Sequence, residues 1–569
     1  MWDSADGYCL ADFQPLLPAE QEVIATLRSG DFDRLGHEAA GSLPETEDTT
    51  RTVRAEFLRF LLLGGEDGAR PHEKGIRLQG AWVTGTLDLE GCRIPRDIGL
   101  KKCRFDAAPI LRSAIIDSLV LDGSIMPGLD ADRIEARGTI SLRGAVISGG
   151  LLVEGGRIGG NLDCTGVVID ETDDLAIHAE DLVASSVLLR GAVIKGSIRL
   201  SGARLSADVD AFNLRVICAG KPAIDAGAIE TRGSVVLRSA RVEGTLRLVS
   251  ARISSDLILQ DAVLSNPGQS ALQLNNANIV GVLMLNGRAK VSGVLDLTGA
   301  TIGTIHDTIS AWPEAGDLLL NRCLYEAIAE GPVDAGTRLA WLALQAPKRW
   351  GEDFWPQPYE HLARVFRDLG HDEDSRRVLI AKERLQRSAR RKRAPNRMWR
   401  LLLGATDGVL AVTLLYGRQP LLAFAWLIFF WLLGAGVFHH AERIDAIMPN
   451  SPVVLRSLEW TLCGLERSET RFLISTRQEM HGLAAAGQAQ LDCFREQFEA
   501  TGYPTFNPWM FSLETLFPIL EIGQKAFWRL NSSEPGGVFV MGFFYFQSLI
   551  GWALSLLAVA AFSGLVKSR

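Results

Sequence analysis

The 569-residue sequence predicts a mainly-β parallel β-helix solenoid with helical caps, followed by a C-terminal α-helical membrane domain with two transmembrane helices. Three observations carry this reading. An eleven-residue unit is repeated in tandem from Gly138 to Ile169 as TISLRGAVISG, GLLVEGGRIGG and NLDCTGVVIDE. Apolar spacing turns from strand-like to helical beyond Trp312. Two long apolar runs lie near the C-terminus, the first preceded by a cluster of basic residues.

Within the repeat, Ile140, Leu151 and Leu162 are in register, as are Leu142, Val153 and Cys164, and then Ile147, Ile158 and Ile169. The apolar pair is spaced by two, which is strand periodicity, and a small residue follows at Gly144, Gly155 or Gly166 where the chain turns. Two such units make a coil of roughly 22 residues, and a coil rises by about one strand spacing of 4.8 Å. From Ile76 to Ile302 this predicts about ten coils and a rod of roughly 50 Å. Asp170 to Ser185 and Ala207 to Gly233 fit the pattern poorly. They are expected to bulge from the rod, as tolerated insertions or as contact loops.

The alternation of small and aliphatic residues resembles the pentapeptide-repeat proteins and related right-handed β-helices, which implies a right-handed coil. Here the period is eleven and not five. The whole architecture resembles a group of bacterial membrane-anchored β-helix proteins, which implies a multi-pass protein of the inner membrane.

Five segments are expected: a helical N-terminal cap over 1–70, the β-helix over 71–305, a helical hairpin adaptor over 306–386, a basic juxtamembrane and interfacial segment over 387–418, and the membrane domain over 419–569. In the cap, Val53, Phe57, Phe60 and Leu61 share a helical face, with Gly64 and Gly65 as the stop, and the cap covers an otherwise open sheet edge. In the adaptor, Pro358 starts a helix whose face carries Leu362, Val365, Phe366 and Leu369. Gly370 ends it, and a second helix begins near Asp372. This pair looks like a single tetratricopeptide-type unit and is expected to close the rod's far end.

Arg387, Arg390, Arg391, Lys392, Arg393, Arg397 and Arg400, with Trp399 among them, precede the apolar region. Their position predicts an anchor for anionic lipid and marks the cytoplasmic side. Leu401 to Tyr416 is interrupted by Thr406, Asp407 and Gly408 and is expected at the membrane interface. Leu421 to Val437 is uninterrupted and about 26 Å long at helical rise, enough to span. Val538 to Val566 spans with tilt, and Lys567 and Arg569 follow it. Two spans with these flanks place both termini in the cytoplasm. The loop 439–537 is then outside, where Cys463 and Cys493 are candidates for a disulfide.

Late in that loop stands FNPWMFSLETLFPILEIGQKAFW. Phe511, Ser512, Leu513, Thr515 and Leu516 resemble the start of the pore helix in two-transmembrane cation channels, whose layout is outer helix, pore helix, inner helix. The channel family's glycine-rich filter is replaced here by Pro518 to Gln524, so stacked carbonyls selective for potassium are not expected. The resemblance leaves Ser512, Glu514, Thr515 and Glu521 as candidate pore residues, the two glutamates as a ring in an oligomer. The alternative is an amphipathic helix resting on the bilayer through Trp509, Phe511, Phe517, Phe527 and Trp528.

Net charge is -8, which argues against nucleic acid as a partner. Cys9, Cys92, Cys103, Cys164, Cys218 and Cys323 read as reduced thiols, and Cys164 fills an aliphatic slot of the repeat. No dinucleotide, phosphate-loop, zinc-protease or nucleophile-elbow motif occurs, and Gly220-Lys221 lacks the rest of a phosphate loop. His439, His440 and Glu442 do not converge, because adjacent helical side chains point apart. No catalytic residue, metal ligand or cofactor is assigned. The functional expectation is a membrane-tethered cytoplasmic scaffold or sensor that meets a protein or ligand on the rod. The alternatives are an oligomeric pore gated by the rod and an enzyme using a groove on it.

Overall fold

The repeat read in the sequence becomes a stack of parallel rungs. In the computed structural model, Ile140 aligns with Leu119 of the preceding coil and with Leu162 of the next, and Leu162 aligns with Val187. Ile147 aligns in the same way with Ile169, and Ile169 with Ile194. All of these side chains are buried, so each eleven-residue unit lays down one face of a continuous apolar core. The structure describes residues 8–36, 41–414, 421–473, 477–517 and 519–562. The chain divides into two units, Met1–Lys382 and Glu383–Arg569.

The first unit is a parallel β-solenoid of about 11 turns. Gly144, Gly155 and Gly166 have φ of 62°, 63° and 67°, the left-handed conformation that a tight turn needs and that a side chain disfavours. The turns are tied coil to coil by the backbone: Gly144 N–H donates to Thr165 O at 2.8 Å and Gly166 N–H to Arg190 O at 2.7 Å. Cys164 occupies its aliphatic slot with no exposed surface.

The strand ladder extends past both expected limits. Thr52–Arg54 pairs with Trp82–Thr84, and Asp33–Arg34 pairs with Leu78 and Gln79, so the N-terminal cap contributes strands as well as the helices Pro18–Thr26 and Ala55–Leu62. Val53 lies on one of those strands and not on the helical face. At the other end, Leu318–Leu319 pairs with Leu295 and Asp296, and Leu324–Ile328 continues the ladder from Thr301 onward.

The irregular stretches are shorter than the sequence suggested. Most of 170–185 and 207–233 stays in register, and the surplus falls at residues 171–174, opposite Gly196, with Ala176, and at 218–221, opposite Gly244, with Ala223. A third bulge, 266–269, faces Gly293. The three lie on alternate coils. Glycine is required opposite them because a Cβ at Gly244 would strike the carbonyl oxygens of Cys218 and Lys221, and one at Gly293 those of Asn266 and Gln269.

Beyond the last rung come the helices Ala335–Ala343 and Gln357–Asp368. The second carries Pro358 in its first turn, and Gly370, at φ 83°, separates it from Asp372–Lys392. Leu362, Val365 and Phe366 are buried, while Leu369 is exposed. His361 and Gln357 hydrogen-bond the backbone of Tyr325, Arg322 and Cys323, which fastens this helix across the final strand.

In the second unit, the helices Leu421–Arg443 and Gly537–Phe562 are long and apolar enough to cross a membrane. The segment preceding the first is a continuous helix, Arg397–Leu414. Asp407 does not interrupt it: its carboxylate is buried and takes an ion pair from Arg387 at 2.8 Å. Tyr416, Pro518, Lys567 and Arg569 lie outside the described residues.

Candidate functional site

The second unit is organised around a nine-residue helix, Pro508–Leu516. Asn507 starts it: Oδ1 accepts from the N–H groups of Trp509 and Met510 at 3.0 and 3.3 Å, and Pro508 stands at the first helical position. Polar groups fix it between the two long apolar helices. Ser512 Oγ donates to the Trp431 carbonyl at 2.9 Å and accepts from Gln547 Nε2 at 2.8 Å. Gln547 Nε2 also reaches Phe430 O at 3.1 Å. Ser548 Oγ donates to Thr515 O at 3.2 Å, and Trp431 Nε1 donates to Trp509 O at 3.0 Å. Such bonds hold apolar helices in register where water is absent.

Glycines allow the close approach. A Cβ on Gly551 would fall inside the Leu516 carbonyl oxygen, and one on Gly434 would meet Gln547 and Ser512. Around this joint, Phe438 packs edge-on to Phe511 with centroids 4.8 Å apart, and Phe506 meets both Phe511 and Trp528.

The four residues singled out as pore candidates divide. Ser512 and Thr515 are fully buried in the helix joint, with Thr515 Oγ1 bonded to Phe511 O at 2.7 Å. Glu514 is buried as well, and its Oε2 accepts from Lys525 N–H at 3.2 Å. Glu521 lies exposed in the segment that follows. Burial holds the Lys525 ammonium below its usual lysine range, and nearby Glu514 opposes that shift. Of the five aromatics considered as anchors, Trp509 and Phe527 are exposed, whereas Phe511 and Trp528 are core residues.

The basic run is also divided. Arg387 and Arg391 turn toward Asp407, at 2.8 and 3.8 Å. Arg390, Lys392, Arg397, Trp399 and Arg400 are exposed, and beside them Met398, Leu401 and Leu402 present apolar surface.

Between the long helices, Cys463 and Cys493 are joined in a disulfide with Cα atoms 5.6 Å apart. It ties the helix Leu458–Cys463 to the helix Gln490–Arg495 around buried Phe494 and Ala484. The strand Ile447–Pro449 runs antiparallel to Trp528–Leu530, so the start and end of the inter-helix segment are closed on each other.

Sequence reasoning did not single out Gln547, Ser548, Gly434 or Gly551. The available signal was a glutamine and a glycine four residues apart inside an otherwise apolar run, polar and small groups that a span lacking helical neighbours would not favour. No protein-family model, no curated protein and no solved structure matches the chain.

Proposed function

We propose that the protein is a scaffold or sensor whose cytoplasmic solenoid is tethered to the inner membrane by its C-terminal unit. The observation that carries this reading is the pairing, in one chain, of a rigid solenoid of about 11 turns with two helices apolar enough to span a bilayer. Inside the solenoid, an apolar void of about 20 Å³ lined by Leu189, Leu200, Leu214, Ile229, Leu237 and Leu248 is too small for a ligand. Recognition of a protein or ligand is assigned in this reading to the polar outer face and its bulges. The exposed cations Arg390, Lys392, Arg397 and Arg400, with Trp399 and Leu401 beside them, suit the headgroup layer of an anionic leaflet. The Cys463–Cys493 disulfide suits an oxidising compartment on the opposite side and so supports a topology with both termini cytoplasmic. The test is thiol and reporter mapping in cells. Reporters at the N-terminus should score as cytoplasmic and residues near Cys463 as external, and the reverse pattern would overturn the reading.

A second reading is an oligomeric, channel-like pore gated by the solenoid. It is favoured by one observation: the helix Pro508–Leu516 is held between the two long helices by Ser512, Gln547 and Ser548, the order of outer, pore and inner helix. Reconstituted protein should then conduct cations, and Glu514→Gln or Glu521→Gln should change the conductance. A monomeric detergent particle, or currents indifferent to both substitutions, would remove this reading.

A further inference from the structure

We propose that Glu154, His178 and Glu180 form a binding site for a divalent first-row cation of the zinc type on the outer face of the solenoid. The three residues come together through the coil geometry. Leu152 aligns with His178 across neighbouring rungs, and Gly155 N–H donates to Glu180 O. Glu154 and Glu180 therefore occupy the same turn position of successive coils, with His178 on the strand just before the second turn.

Two carboxylates stacked one rung apart repel each other unless a cation lies between them. His178 points its ring into that place. Its Nε2 is 3.5 Å from Glu154 Oε2 and 3.4 Å from Glu180 Oε2, and one donor atom from each of the three residues lies within 4.8 Å of the others. Nε2 is sealed from solvent and has no hydrogen-bond partner. A buried ring nitrogen facing two carboxylate oxygens without bonding either is the arrangement of donors around a common centre. Donors at about 2.0–2.1 Å from a tetrahedral zinc ion lie about 3.3–3.4 Å from one another, close to the two distances from His178 Nε2 to the glutamate oxygens.

The other oxygen of Glu180, Oε1, faces Arg199 of the following coil at 3.8 Å, which leaves Oε2 turned toward His178. Imidazole and carboxylate together are donors for a zinc-type ion, and three protein ligands leave the fourth, outward position to water or to a donor from a partner. Glu154 is the most exposed of the three, so the site opens on its side. The site stands independently of the membrane-tether reading.

The test uses the full chain in detergent, stripped with chelator and titrated with Zn²⁺ in equilibrium dialysis, with Co²⁺ as the spectroscopic substitute. Wild-type protein should bind about one equivalent, raise its melting temperature on binding, and give the intense visible bands of tetrahedral cobalt. His178→Gln should weaken binding by about tenfold or more while the metal-free melting temperature stays in place. Glu154→Gln, at an exposed position where folding is not at stake, should weaken binding as well and shift the cobalt spectrum. Failure of wild-type protein to bind at micromolar Zn²⁺, or undiminished binding by both variants, would overturn the proposal. So would a melting temperature that responds to pH through His178 but not to metal, which would make the histidine a protonated bridge between the two glutamates.

Discussion

Arg338 grips Asp307 with both ends of its guanidinium: Nη1 donates to Oδ2 at 2.8 Å and Nη2 to Oδ1 at 2.5 Å, and neither side chain has appreciable solvent exposure. Trp312 Nε1 donates to the same Oδ2 at 2.8 Å, and Arg338 Nε donates to Pro332 O at 2.7 Å. Trp312 and Trp341 flank the guanidinium carbon at 5.7 and 5.2 Å. The last long strand of the solenoid and the first helix after it are thus locked by a fully paired buried charge. Removing one partner strands the other in the core, so Arg338→Ala or Asp307→Asn should each cost about 3–5 kcal/mol. An apolar pair of matching volume in place of both should recover most of that loss. Denaturant unfolding followed by tryptophan fluorescence reads both outcomes, and single variants as stable as wild type would count against the lock.

The same end of the solenoid should be sensitive to acid. Burial holds the His361 imidazole below its ordinary value of 6.5. Its neutral ring accepts the Tyr325 N–H at Nε2, 2.9 Å away, while its aromatic face stands edge-on to the Tyr325 ring. The unfolded chain therefore takes up a proton at higher pH than the folded one. The contribution is present above the unfolded value of 6.5 and is lost as pH falls from there through the depressed folded value. Melting temperature should drop from neutral pH toward pH of about 5 in wild type. His361→Gln should flatten that slope while lowering stability at neutral pH. An unchanged slope in the variant would assign the acid sensitivity elsewhere.

Three thiols should resist labelling in the folded state. Burial pushes Cys103, Cys164 and Cys323 up to about 12, so almost none is thiolate at neutral pH. Cys9 is exposed. Mass spectrometry after brief maleimide treatment should find Cys9 modified and these three untouched until denaturant is added. Early modification of Cys164 would mean that the coil around it opens in the native protein.

Much of the solenoid was legible because its core repeats. Leu142, Val153 and Cys164 could be placed from sequence, since every coil asks for an apolar residue at the same place. The ends were less legible. Thr52–Arg54 and Leu324–Ile328 are single rungs, too short to show a period, and they are recognisable only by the neighbours they pair with. The bulges were misjudged in length because a surplus residue breaks the sequence pattern on both sides, while the strands re-enter register after only a few residues. In the second unit the apolar runs announced themselves by length. What joins them did not, because the partners of Ser512 lie far apart in the chain, at Trp431 and Gln547. The stacked trio of Glu154, His178 and Glu180 escapes the 22-residue period, because the surplus at 171–174 lengthens that coil and Leu152 comes to align with His178.

The joint between the short helix and the second apolar helix makes the last prediction. Gly551 sits against the backbone of Leu516, the final residue of the helix Pro508–Leu516, and a Cβ there would overlap the Leu516 carbonyl. A backbone atom cannot rotate away, so Gly551→Ala must push the two helices apart, breaking the Ser548–Thr515 bond on the turn below. Overpacking of this kind typically costs about 1–3 kcal/mol, and the loss of the bond adds to it. Gly434→Ala should be milder, because its Cβ would meet the ends of the Gln547 and Ser512 side chains, which can move. Gly542→Ala, on the same helix as Gly551 but with open space around it, should leave stability unchanged or slightly raised by better helix propensity. Thermal unfolding in detergent should therefore rank Gly551→Ala lowest, Gly434→Ala between, and Gly542→Ala beside wild type. A Gly551→Ala protein as stable as the Gly542→Ala control would show that the short helix does not seat against the second apolar helix at Leu516.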